Sequence, residues 1–142
     1  MTGQMEYSLL LLAGGKSSRM GVNKAELQVD GKSFLTHMRL KASAIGIEQH
    51  YISGYSSESE DVTTVWDRYP DRGPLGGIHA CMEEMDTPYC LVLPVDAPTL
   101  PVEILETLLA YHRNSPDRKQ VLIWEHGDRK EPLIAIYPKA IA

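Results

Sequence analysis

The residues best suited to chemistry form a loop of glycines and cations near the start of the chain. Gly14 and Gly15 end an apolar run, and Lys16, Arg19 and Lys24 follow them. Glycine adopts positive φ and brings bare backbone N–H groups against a ligand. Such N–H groups form a nest for anions, and neighbouring cations add the charge that a polyphosphate requires. The pattern therefore predicts a loop that binds a nucleoside triphosphate.

The familiar phosphate-binding motifs do not fit this loop. A P-loop requires glycine at position 10, where this chain has Leu10. The spacing of Gly14, Gly15 and Gly21 also differs from the dinucleotide-binding fingerprint. The alternative to a phosphate site is an ordinary strand–loop–helix turn with scattered surface bases.

Composition limits the function classes. The chain has 142 residues, a hydrophobic share of 43%, a charged share of 23% and a net charge of −5. These values are typical of one soluble globular domain, covering residues 1–142, and the absence of a basic stripe argues against nucleic acid as a partner. No apolar run has the length of a membrane span or the layout of a signal peptide. We expect a cytoplasmic protein without a membrane partner, with Cys81 and Cys90 as reduced core thiols.

Short apolar runs alternate with helical patterns along the chain. The predicted strands are 7–12, 51–53, 62–66, 89–95, 121–124 and 133–137, and the predicted helices are 33–45, 74–85 and 101–112. This alternation predicts an α/β fold, with a Rossmann-like, mainly parallel sheet and helices on both faces. Ligands of such sheets bind beyond the carboxyl ends of the strands.

Acidic residues follow two of the predicted strands, at the ends where ligands of such sheets bind. Asp96 directly follows an apolar strand, where a carboxylate is costly unless it is paired or binds a metal. An aspartate there is a suitable oxygen ligand for Mg²⁺; the alternative is a cap for the helix that follows. Asp67 ends another strand and could accept hydrogen bonds from a base or ribose, and we favour it over Asp71, which has the surroundings of a turn residue.

Other residues have weaker signals. Gly76 and Gly77, at a helix start, would allow either close approach of a flat base or a tight helix–sheet contact. The histidines form no pair at metal-ligand spacing. We expect His37, His79 and His112 to be surface or half-buried residues of helices.

Four blocks of sequence together resemble the molybdenum cofactor guanylyltransferase family of nucleotidyltransferases. The blocks are Leu12–Lys24, Asp67–Gly77, Leu93–Pro98 and Glu131–Tyr137. The resemblance implies a fold of the nucleotide-diphospho-sugar transferase type. It also implies Mg²⁺-dependent transfer of GMP from GTP to molybdopterin, with release of pyrophosphate and without a covalent enzyme intermediate.

The resemblance also implies residue roles. Arg19, Lys24 and Asp96 would be catalytic, with Arg19 and Lys24 neutralising the triphosphate and Asp96 holding Mg²⁺. The implied nucleotide-binding positions are Leu12, Ala13, Gly14, Gly15, Lys24, Ser53, Asp67 and Asp96. Proteins that handle the molybdenum cofactor would be transient partners.

This chain departs from the family in two respects. It has Ser53 where the family often has asparagine, and it stops at Ala142, before a later family segment, so we expect a C-terminally short form. Two alternatives stay open. One is a cytidylyl, uridylyl or sugar-1-phosphate nucleotidyltransferase, and the other is a nucleotide-binding relative without turnover.

Overall fold

The computed structural model describes residues 6–13, 24–55, 62–66, 74–126 and 129–141. Within these residues, a six-stranded sheet is accompanied by three α-helices and a small two-stranded hairpin. The strands are β1 (Tyr7–Leu12), β2 (Gln28–Val29), β3 (Lys32–Ser33), β4 (His50–Ser53), β5 (Thr63–Val65), β6 (Tyr89–Pro94), β7 (Leu122–His126) and β8 (Arg129–Pro138). The helices are α1 (Phe34–Ala44), α2 (Pro74–Glu84) and α3 (Val102–Asn114).

The main sheet has the strand order β5–β4–β1–β6–β8–β7. Neighbours among β5, β4, β1 and β6 pair in parallel, whereas β8 is antiparallel to both β6 and β7. The central strands β1 and β6 are apolar apart from the buried Ser8, because both of their faces are covered. Leu10 and Val92, for example, are 0% exposed. The predicted mainly parallel α/β sheet is confirmed.

Helices cover both faces of the sheet, as predicted. Leu9 of β1 belongs to one core cluster with Leu35 of α1 and Leu105 of α3. The adjacent residue Leu10 belongs to a second cluster with Met82 of α2. Because successive strand side chains point to opposite faces, α1 and α3 lie on one face and α2 lies on the other.

The ends of the helices have local causes. Ser33 caps α1, since its Oγ accepts a hydrogen bond from the backbone N–H of Thr36 at 3.0 Å. After α1 the chain turns at Gly46, whose φ of 90° suits glycine. The sequence predicts a helix from residue 101, but Pro101 occupies the N-cap position with extended backbone, and the helix begins at Val102.

The prediction for His112 was wrong. His112 is 2% exposed, whereas we expected a surface or half-buried residue. It follows Leu105 by seven residues and therefore continues the core-facing stripe of α3. His37 and His79 are partly exposed, in agreement with the prediction.

The carboxyl ends of the parallel strands lie at one edge of the sheet. Leu12, the last residue of β1, is paired with both Ser53 of β4 and Pro94 of β6. Ser53 is paired in turn with Val65 of β5. The residues that follow these four strands therefore begin at a common level, which we call the carboxyl edge.

Candidate active site

The end of β1 is held from both sides at the carboxyl edge. The backbone N–H of Val95 donates to the carbonyl of Leu12 at 3.2 Å, and the N–H of Ala13 donates to the carbonyl of Ser53 at 3.2 Å. Ala13 is 3% exposed. These bonds fix the point from which the chain enters the glycine and cation loop.

Much of that loop lies outside the described residues. Gly14, Gly15 and Arg19 belong to the part of the chain that the structure does not describe, and so does Asp67. Their predicted contacts with a nucleotide stay predictions. The described chain resumes at Lys24.

Lys24 opens a single 3₁₀ turn, Lys24–Glu26, that returns the chain to the core. The anchor of this turn is Ala25, which is 1% exposed and belongs to the same core cluster as Leu35 of α1. The backbone of Lys24 is thus fixed beside α1, between the predicted phosphate loop and the hairpin β2–β3.

Asp96 lies in the turn directly after β6 and is exposed. Its position two residues beyond Pro94, the partner of Leu12, puts it on the carboxyl edge beside the start of the loop. The N-cap of α3 is Pro101, so Asp96 does not occupy the N-cap of that helix. A side chain in this position is accessible to a ligand at the edge.

The described residues limit which protein groups are seen at this edge as candidate metal ligands. Across the described residues, no group of three or more histidine, cysteine, aspartate or glutamate side chains could hold a metal ion. Mg²⁺ commonly uses one or two protein carboxylates and takes its remaining ligands from phosphates and water. The single exposed carboxylate of Asp96 fits that donor set.

Gly77 brings α2 against the end of β4. A Cβ placed on Gly77 would lie 2.2 Å from Ser53 Oγ and 3.8 Å from Leu12 Cδ2. Of the two alternatives for this glycine, the structure shows the tight helix–sheet contact. It also shows that the Ser53 side chain, 9% exposed, packs beneath the first turns of α2.

Sequence reasoning missed a link between Tyr55 and Glu26. Tyr55, two residues after β4, donates its hydroxyl proton to Glu26 Oε2 at 2.7 Å. No sequence pattern predicts this bond, because it joins residues 29 positions apart. The link ties the Lys24–Glu26 turn to the end of β4.

A cluster of aromatic rings lies at the amino ends of the parallel strands, opposite the carboxyl edge. Tyr7 and Tyr89 begin the two central strands and contact His112, with ring centroids 5.5 and 4.5 Å away. Tyr7 Oη and His112 Nδ1 are 2.7 Å apart, and Arg118 Nη2 donates to Tyr7 Oη at 3.3 Å. Burial, and next the Arg118 charge, lowers the pKa of His112 to about 4. We assign this cluster a structural role.

The sequence is similar to known proteins over nearly its whole length. A family model described as the MobA-like NTP transferase domain matches residues 9–142. A probable molybdenum cofactor guanylyltransferase of Clostridium perfringens (strain SM101) is 35% identical over 139 residues, which span 96% of this chain and 68% of that protein.

Solved structures share the fold. Molybdopterin-guanine dinucleotide biosynthesis protein A from Archaeoglobus fulgidus is similar with a TM-score of 0.72 and 26% identity, over 94% of this chain and 68% of that one. A CMP:2-keto-3-deoxy-manno-octonic acid synthetase in complex with CTP has a TM-score of 0.70 at 15% identity, over 96% and 75% of the two chains, and shows the fold alone. Within the part of this chain that the structure describes, none of the helices has the length and apolar character needed to cross a bilayer.

The fold is therefore that of the nucleotide-diphospho-sugar transferases, and the family match covers nearly the whole sequence. The expectation of a nucleotidyltransferase is confirmed. The chain belongs to the MobA-like NTP transferase family and is a nucleotidyltransferase.

Proposed function

We propose that this chain transfers GMP from GTP to molybdopterin and releases pyrophosphate. The proposal is supported by relatives that are named molybdenum cofactor guanylyltransferases. The observation that carries it is the 3.2 Å hydrogen bond from Val95 N–H to the Leu12 carbonyl. This bond joins the start of the glycine and cation loop to the turn that bears Asp96, so that a triphosphate in the loop would lie beside a carboxylate.

The triphosphate would be held by the loop. We assign the backbone N–H groups of Gly14 and Gly15 to the phosphates, with Leu12 and Ala13 lining the site through their backbone atoms. Arg19 and Lys24 would neutralise the phosphate charge. In this type of transfer, positioning and charge neutralisation account for most of the rate, so no nucleophilic side chain is required.

The reaction would be a displacement at the α-phosphorus of GTP. An oxygen of the terminal phosphate of molybdopterin forms the new P–O bond, and the bond to the bridging oxygen of the β-phosphate breaks. The bond electrons leave with pyrophosphate. Asp96 would hold Mg²⁺, which supplies charge neutralisation on the phosphate oxygens.

Recognition of the base would involve the ends of β4 and β5. Asp67 follows β5 and would accept hydrogen bonds from the guanine edge or ribose. Ser53 would act chiefly by fixing neighbouring backbone, because its side chain packs against Gly77 and its carbonyl accepts from Ala13. The guanine preference would then depend more on Asp67 than on Ser53.

Pyrophosphate release tests the proposal. The chain is supplied with molybdopterin, Mg²⁺ and each of the four nucleoside triphosphates in turn, and pyrophosphate is measured along with calorimetric binding of each nucleotide. We expect turnover and tightest binding with GTP. Turnover that prefers CTP or UTP would overturn the guanylyl assignment, whereas GTP binding without pyrophosphate would indicate a binding protein.

Asp96→Asn tests the metal role, and Asp86→Asn is its matched control. Asp86 is also exposed, but it precedes β6 and so lies at the opposite edge of the sheet. We expect Asp96→Asn to lower turnover about 100-fold or more and to weaken Mg²⁺-dependent GTP binding, since it removes a ligand charge. Equal behaviour of the two variants would contradict a metal site at Asp96.

A further inference from the structure

The hydrogen bond between Tyr55 and Glu26 joins two segments that are each fixed independently. On one side, Thr64 Oγ1 donates to the carbonyl of Tyr55 at 3.0 Å, and Gly54 N–H donates to the carbonyl of Val65 at 3.3 Å. Gly54 has a φ of 80°, a turn conformation that suits glycine. The backbone that carries Tyr55 is therefore attached to β5.

The other side of the bond is the Lys24–Glu26 turn. Ala25 is buried at 1% exposure in the cluster that contains Leu35, whereas Glu26 itself is exposed. The Tyr55 ring packs against the same cluster and is half-buried. The hydroxyl-to-carboxylate bond of 2.7 Å thus fastens an exposed acid to a supported ring. Hydrogen bonds to a charged acceptor are stronger than those between neutral groups.

This bond bears on Lys24, which is two residues from Glu26. A lysine ammonium is a point charge on a flexible stem, so the position of its Cα limits where the charge can be placed. Charge neutralisation of a transferring phosphate depends on placement to within a fraction of an ångström, and errors of about 1 Å are costly. The turn that carries Lys24 has one anchor in the core at Ala25, and the Glu26–Tyr55 bond gives it a second anchor at the carboxyl edge.

We propose that Tyr55 and Glu26 are positioning residues that hold Lys24 in place for nucleotidyl transfer. The inference rests on the proposed function, in which Lys24 neutralises the triphosphate. Neither residue touches the reacting atoms in this account. They act through the backbone of the Lys24–Glu26 turn.

The test measures pyrophosphate release from GTP and Mg²⁺ with molybdopterin as acceptor. Tyr55→Phe removes only the hydroxyl, and we expect kcat to fall about tenfold with a smaller change in KM. Tyr111→Phe is the matched control, because Tyr111 is 66% exposed on α3, and it should leave kcat unchanged. An unchanged kcat in Tyr55→Phe would overturn the proposal.

Substitutions at Glu26 provide a second route, since changes at exposed positions usually alter stability little. Glu26→Ala should match Tyr55→Phe, whereas Glu26→Gln keeps an acceptor oxygen and should restore kcat to within about twofold of the unsubstituted chain. Glu106→Ala, at an exposed position of α3, is the control. If Glu26→Gln and Glu26→Ala lower kcat equally, or if neither lowers it, the hydrogen bond is not the positioning contact.

The Lys24→Ala background separates positioning from general stability. If Tyr55 acts through Lys24, adding Tyr55→Phe to Lys24→Ala causes no further loss of kcat. The same tenfold loss in both backgrounds would overturn the proposal while leaving the proposed function intact. Full turnover by Lys24→Ala would overturn the positioning role alone, because no charge at Lys24 would then be needed. No turnover by the unsubstituted chain would instead overturn the proposed function, and the positioning role with it.

Discussion

Gly77 and Ser53 are in such close contact that a single added carbon on Gly77 would overlap the serine hydroxyl, at 2.2 Å from Oγ. The contact sets the distance between α2 and the end of β4. Since β4 is hydrogen-bonded to the end of β1 through Ala13 and Ser53, this distance also determines how closely α2 approaches the candidate site.

Gly77→Ala should destabilise the fold by roughly 1–3 kcal/mol, because overpacking against Ser53 outweighs the gain in helix propensity of about 1 kcal/mol. The free energy of unfolding in urea measures the effect. Ser53→Gly in the same chain removes both clashing atoms and should recover part of the loss. An increase in stability for Gly77→Ala alone would show that α2 can move away without cost.

The cluster of Tyr7, Tyr89 and His112 at the amino ends of β1 and β6 predicts that folding stability depends on pH. Burial lowers the pKa of His112 to about 4 in the folded chain, against an ordinary value of 6.5. The unfolded chain therefore binds more protons between these values, and folding stability is full above pH 6.5 and falls as the pH decreases toward 4. We expect a loss of roughly 1–3 kcal/mol from this residue.

The measurement is the free energy of unfolding at several pH values between 7.5 and 4.5, for the unsubstituted chain and for His112→Gln. The variant should lose the part of the pH dependence that comes from the imidazole. Arg118 and Glu6 form an ion pair of 3.3 Å beside Tyr7. Both residues are present in both proteins, so their own titration does not contribute to the difference between the two pH profiles. Equal pH dependence of the two proteins would contradict a neutral buried His112.

The sequence predicted those elements whose burial pattern is uniform. The bounds of β1 agree with the prediction because an unbroken apolar run is bounded by glycine, and those of α1 agree within a residue because Ser33 caps the helix. The hairpin of β2 and β3 was missed, since strands of two residues have no detectable period. The antiparallel insertion of β8 between β6 and β7 depends on tertiary packing and has no local signal.

The positions in the fold of some candidate-site residues were predictable to the same degree. The rule that ligands bind at carboxyl ends located Leu12 and Asp96 correctly at one edge, because that rule needs only strand positions. The Tyr55–Glu26 bond could not be foreseen, since it requires the path of the chain between β4 and the Lys24–Glu26 turn. Likewise, the burial of Ser53 beneath Gly77 depends on how α2 crosses the sheet.

The cap of α1 offers a direct test of local stability. Ser33 Oγ lies 3.0 Å from the Thr36 backbone N–H and 3.0 Å from Thr36 Oγ1. Ser33→Ala should lower the free energy of unfolding by about 1 kcal/mol, because the N–H loses its acceptor. Ser115→Ala, beyond the C-terminus of α3, is the control and should have a smaller effect. Ser33→Asp should retain most of the stability, since aspartate caps equally well.

Cys81 of α2 and Cys90 of β6 predict a pattern of thiol reactivity. Both are 0% exposed, and their sulfur atoms are 4.0 Å apart. The hydrogen-bonded contact with Cys81, and next burial, holds the pKa of the Cys90 thiol well above its usual value. Because the thiolate is the reactive form, a disulfide reagent at pH 8 should label the native chain only at the rate of opening or unfolding, whereas it should label both residues rapidly in urea.

Cys90→Ala should leave a single slowly reacting thiol in the native chain. Rapid labelling of the remaining Cys81 without denaturant would show that α2 separates readily from β6. That result would contradict the tight packing of α2 on the sheet.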